Sequence, residues 1–109
     1  MATELQLREI QKHAVAGNLR ITQHAHVEMV AEFINLADVV EAIGSDGAQI
    51  LEDYPTHRRG PCCLLVGWTT DGRPLHVVCT TGRPVPIIIT VYEPKPPRWT
   101  TAMQRGHQV

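Results

Sequence analysis

Cys62-Cys63-Leu64-Leu65-Val66-Gly67-Trp68-Thr69-Thr70-Asp71-Gly72-Arg73-Pro74-Leu75-His76-Val77-Val78-Cys79-Thr80-Thr81 places two β-rich runs on either side of Asp71-Gly72. Asp-Gly between apolar runs is a strong hairpin signal, because the matching tight turn needs residues that tolerate positive φ. The pattern predicts strands over 62–70 and 73–81. Working outward, Ala48 to Tyr54, stopped by Pro55, and Pro86 to Glu93, stopped by Pro94, are also β-rich. Four runs in close succession predict an antiparallel meander.

Upstream of residue 48 the apolar period lengthens to that of a helix. Thr3 and Gln6 have capping-box spacing, Leu7, Ile10 and Ala14 follow, and Gly17-Asn18 is a stop, so the first helix covers 4–16. Ile21-Thr22 is a short extended segment. Ala25, Met29, Val30 and Phe33 mark a second helix. Asn35 caps a third, with Asp38 favoured at its third position by the helix dipole and Gly44 as terminator. The expected fold is α+β, with two to three N-terminal helices packed on one face of a four-stranded antiparallel sheet. Residues 1–99 form the single domain, and 100–109 a mobile tail unless Trp99 anchors it.

A chain of 109 residues, 43 % apolar, suits one core. It contains neither a signal-peptide apolar region nor an apolar run of membrane-spanning length, so the expected location is cytoplasmic, away from membranes. Cys62, Cys63 and Cys79 lack CxxC spacing and read as small buried apolar residues. The net charge of −1 conceals an asymmetry: residues 1–54 carry three basic and nine acidic side chains, residues 55–109 seven and two. The halves are thus −6 and +5, which suits a basic face for phosphate or acidic helices that meet a basic partner.

Alternation puts Leu75, Val77 and Cys79 on one side of their strand and His76, Val78 and Thr80 on the other; in the next, Ile87, Ile89 and Val91 oppose Ile88, Thr90 and Tyr92. With the apolar sets under the helices, His76, Thr80, Thr90 and Tyr92 converge on the sheet's open face. Arg73, three residues from His76, falls on the opposite face unless a bulge at Pro74 turns it. A His, a Tyr and Arg residues are suited to RNA cleavage: a base for the 2′-OH, a donor for the leaving oxygen, cations for phosphorane charge. Arg58 and Arg59, in the Pro55-to-Pro61 loop, and Arg83 are the expected RNA-binding cations. His24 and His26, two apart at a helix start, point away from each other and cannot share a metal, so no metal is expected. Glu28, one turn beyond His24, can pair with it, although a solvated helix face is the plainer reading. Trp68, by parity with Leu64 and Val66, is expected in the core, and Trp99 as the docking point of the tail.

The His24-Ala25 start with Glu28-Met29, the Glu52-Asp53-Tyr54-Pro55 strand end, Arg59-Gly60-Pro61, Gly72-Arg73-Pro74-Leu75-His76-Val77-Val78 and Ile89-Thr90-Val91-Tyr92-Glu93-Pro94 with Trp99 together resemble domain-of-unknown-function family 4258 over roughly residues 20–99. The resemblance implies a RelE/barnase-like fold. It also implies a RelE-like toxin, or a toxin-derived metal-independent ribonuclease of a toxin–antitoxin system, without cofactor. Its partners would be RNA, including ribosome-bound RNA, a small zinc-finger antitoxin and a second copy in a homodimer. The family's recurring polar positions map onto His24, Arg73, His76 and Tyr92, the expected catalytic set. A non-catalytic protein-binding module, or a decayed toxin, is the alternative.

Overall fold

The computed structural model describes residues 4–106; Thr3, the expected cap of the first helix, lies outside the described residues. Helix α1 (Glu4–Val15) buries Leu7, Ile10 and Ala14, three or four apart on one stripe. Strand β1 is Arg20–Ile21, followed by α2 (Gln23–Ala31), α3 (Leu36–Ile43), β2 (Gln49–Tyr54), β3 (Cys62–Trp68), β4 (Pro74–Thr80) and β5 (Ile87–Tyr92). The Thr22 hydroxyl caps α2 by accepting the Ala25 N–H at 3.1 Å. Asn35 and Asp38 close a reciprocal capping box on α3, with bonds of 2.8 and 3.0 Å. Gln11 Nε2 donates to the Ile43 carbonyl, tying α1 to the end of α3.

The sheet order is β1-β5-β4-β3-β2, antiparallel except that β1 runs parallel to β5. The expected four-stranded antiparallel sheet is therefore a five-stranded mixed one. The extended Ile21 segment gains strand character only from hydrogen bonds to β5, the Arg20 and Thr22 N–H groups donating to Pro86 and Ile88. The core fills the space between the helices and one sheet face, with Ala25, Met29, Val39, Ala42 and Ile43 opposite Cys63, Leu65, Leu75, Val77, Cys79, Ile88 and Val91. At Gly67 a Cβ would stand 1.8 Å from the Ala42 carbonyl oxygen, so only glycine lets β3 approach α3 this closely.

Two β-bulges correct the simple alternation. The register slips between Val78 and Cys79, leaving Ile89 as the extra residue of β5. Ile88 consequently joins the core instead of sharing the face of Thr90 and Tyr92. No bulge occurs at Pro74, which pairs regularly with Trp68, so Arg73 stays opposite His76. A second slip makes Leu51 the extra residue of β2 and turns Glu52 away from the side of Ile50. Trp68, with Leu64 and Val66, lies on the face away from the helical core, because Cys63 and Leu65 take the core positions of β3.

That second face is covered at its centre. After β5 the chain passes through a cis Pro96–Pro97 peptide and folds back, with Trp99 bridged to Arg105. Trp99 is 2 % exposed and His76 fully buried. The segment from Pro94 to Gly106, expected to be mobile from residue 100 onward, forms a strap that packs against β2 and β4. Among the described residues no helix is long and apolar enough to cross a membrane.

Candidate functional site

His76 and Tyr92 are directly opposed in the β4–β5 ladder, on the regularly paired side of the Ile89 bulge. His76 Nε2 lies 2.6 Å from the Ala102 carbonyl oxygen and Nδ1 3.2 Å from the Tyr92 hydroxyl. A carbonyl only accepts, so Nε2 carries the proton, and the neutral ring's Nδ1 accepts from Tyr92. Trp99 packs edge-on against the imidazole, with centroids 4.3 Å apart. Burial pushes the His76 pKa below the usual histidine value, partly opposed by the Ala102 hydrogen bond. Tyr92 is pushed up by burial, with the Trp99 indole and the Arg105 and Arg98 charges acting the other way. The buried Trp99 Nε1 has no acceptor in bonding geometry, although it lies close enough to the Tyr92 hydroxyl to act on it.

Beside Tyr92 a cleft of about 380 Å³ opens between α2 and the strap, lined by Glu28, Glu32, Tyr92, Glu93, Lys95, Arg98 and Trp99. One wall is acidic and belongs to α2 and the end of β5. The other is basic and belongs to the start of the strap. Strand β1 is too short to cover the far half of β5, so α2 does it with side chains. Glu28 Oε1 accepts the Val91 N–H at 3.1 Å, and Glu32 Oε1 the Glu93 N–H at 3.0 Å. The spacing matches, since four helical residues rise about 6 Å and two strand residues about 6.7 Å. Desolvation raises the Glu28 pKa, against the Val91 hydrogen bond and the His24 ring, whose Nε2 is 3.3 Å away. Behind Glu93, Arg73 Nε donates to its Oε1 at 2.6 Å, while Nη1 and Nη2 hold the Phe33 and Glu32 carbonyls at 3.1 and 2.7 Å.

The four expected catalytic residues therefore surround one cleft without all facing it. Tyr92 lines it, His76 stands behind Tyr92, Arg73 behind Glu93, and His24 behind Glu28. Arg58, Arg59 and Arg83 lie at the other end of the sheet, where Arg83 Nη2 donates to the Arg59 carbonyl at 2.9 Å. Sequence reasoning passed over Lys95 and Arg98, together with Glu52 and Arg105 on the strap face, and it read Glu28 as a solvated helix position able to pair with His24. Lys95 and Arg98 had a local signal, two cations flanking Pro-Pro just before a tryptophan. Among the described residues no group of three or more His, Cys, Asp or Glu is gathered as metal ligands.

Among curated proteins and solved structures, none matches this chain. A family model matches residues 21–93, from β1 through the Glu93 that forms part of the cleft wall. That segment holds the acidic wall, Tyr92, and His76, Arg73 and His24 behind the walls, so the chain belongs to the family described as a domain of unknown function, DUF4258.

Proposed function

We propose that the cleft between α2 and the strap binds an RNA phosphodiester and cleaves it with side chains alone. The observation that carries this reading is the pairing of walls around Tyr92: the Glu28 carboxylate on one side, Lys95 and Arg98 on the other. Glu28, its proton affinity raised by desolvation and balanced by His24, takes the proton of a ribose 2′-OH. The 2′-oxygen attacks phosphorus and the P–O5′ bond breaks, leaving a 2′,3′-cyclic phosphate and a 5′-hydroxyl. Tyr92 turns its one hydroxyl proton from His76 Nδ1 to the leaving O5′ as the P–O5′ bond breaks. Lys95 and Arg98 offset the phosphorane charge. Arg73 and His76 act through Glu93 and Tyr92 as positioning residues. In this reading the protein is a RelE-like toxin or a ribonuclease derived from one, with a RelE/barnase-like arrangement and a small zinc-finger antitoxin as its inhibitor.

The test is cleavage of a fluorophore-labelled RNA of mixed sequence in EDTA by the wild type and by Glu28→Gln, which keeps an oxygen for the Val91 N–H but cannot act as the base. Cyclic-phosphate products are expected from the wild type, with a loss of about 100-fold or more in the variant. RNA left intact by equimolar wild type would end the proposal, and equal rates would remove Glu28 from it.

A further inference from the structure

Helix α2 ends in a Schellman motif: the Phe33 N–H donates to the Val30 carbonyl at 3.3 Å and the Ile34 N–H to the Met29 carbonyl at 2.8 Å. The residue between, Phe33, has φ +56°. This is the position that glycine usually fills, because an L side chain there is strained. Phe33 takes on that strain and returns nothing to its own chain, since it is 90 % exposed. Its backbone is nonetheless firmly held, with Arg73 clamping both the Glu32 and Phe33 carbonyls and Glu93 holding Arg73. Val30 (63 % exposed) and Leu36 (51 %) flank it, and Glu32 and Asp38 give the same corner negative charge. The result is a rigid apolar knob with an acidic rim.

The far end of the molecule carries its complement. Pro84, Val85 and Ile87 line a cleft of about 220 Å³ between Arg20 and Arg83. Ile87 begins β5 and Glu93 follows its end, so knob and socket are separated by about 20 Å of strand and cannot meet within one chain. Glu32 and Asp38 belong to the −6 half of the sequence and Arg83 to the +5 half, while Arg20 is one of the three basic residues of the first half, brought to the socket by β1.

We propose that the chain associates head to tail, with Phe33 of one protomer seated in the Pro84–Val85–Ile87 socket of the next and Arg20 and Arg83 facing its acidic rim. Such a contact uses two different surfaces, so it adds protomers until a ring closes or the chain ends. It does not depend on the chemistry of the cleft.

Sedimentation of the full chain over a micromolar to high-micromolar range tests this, with Phe33→Gly and Arg83→Glu alongside. The wild-type mean mass should rise with concentration and fall with added salt, and each variant should stay monomeric. Phe33→Gly should also melt about 4 °C higher, because glycine relieves the strained position, so its loss of association cannot be a loss of fold. An equimolar mixture of the variants keeps one good knob and one good socket, and should form a 1:1 dimer and nothing larger. A wild type monomeric throughout, a Phe33→Gly chain that associates like it, or a mixture that forms no dimer would each overturn the proposal.

Discussion

Arg105 closes two hydrogen bonds on the carboxylate of Glu52, 53 positions away in sequence, Nε to Oε2 at 2.6 Å and Nη2 to Oε1 at 2.7 Å. The same guanidinium lies 4.7 Å from the centre of the Trp99 ring, so one side chain fastens both the end of the strap and its anchor. Glu52 is available because the Leu51 bulge turned it to this face.

This tether should be removable without unfolding the sheet. Arg105→Ala is expected to cost about 1 kcal/mol, as a paired but part-exposed charge does. It should shift Trp99 fluorescence to the red as the strap loosens. Arg105 holds the Glu52 carboxyl below its ordinary pKa, so the tether's contribution is complete above the usual carboxylate value and is lost as pH falls below it through the depressed one. An acid transition in Trp99 emission that is identical in Arg105→Ala and wild type would refute this assignment.

His76 predicts a second, higher pH window. Its pKa is depressed in the folded state by burial, so the unfolded chain takes up the proton first. Stability is complete above the ordinary histidine pKa of about 6.5 and declines as pH falls through it toward the depressed value. The midpoint of urea unfolding should therefore drop between pH 7 and pH 5. His76→Leu should flatten that slope, and at pH 7 should cost about 1–3 kcal/mol because the Tyr92 hydroxyl and the Ala102 carbonyl lose their partner.

Glu32 makes a prediction about the sheet edge. Glu32→Ala leaves the Glu93 N–H without its acceptor and should destabilise by about 1–2 kcal/mol, with faster amide exchange at Glu93 than at Val77. Glu32→Gln retains an oxygen at the same reach and should exchange like the wild type. Equal exchange rates in the alanine and glutamine variants would show that the carboxylate does not cap β5.

Gly67→Ala tests the closeness of α3 to the sheet. With a Cβ placed 1.8 Å from backbone, strand and helix must separate, at about 3 kcal/mol or more. Thermal unfolding measures it, and a Tm within a degree of the wild type would contradict the packing described.

What could be read from sequence was local. Asp71-Gly72 announced its hairpin, Asn35 and Asp38 their capping box, and alternation put His76 and Tyr92 on one face. Alternation failed at Ile87-Ile88-Ile89, where three identical residues suit either face and nothing marks which one bulges. The two-residue β1 was unreadable as a strand, since it is held as one by β5. Glu28 looked like a solvated helix position because its acceptor role, like that of Glu32, appears only when the uncovered half of β5 lies alongside.

Residue order alone dictates the α+β class, the order of the helices and the four main strands, and the shared face of His76 and Tyr92, because capping, turn chemistry and side-chain period act over a few residues. Which groups share a cleft is a matter of long-range packing. Glu28, Tyr92, Lys95 and Arg98 meet there because a helix, a bulged strand and a returning strap are brought together by burial of a common core. Contacts of that range depend on the net packing of the whole chain, and no short stretch of residues encodes them.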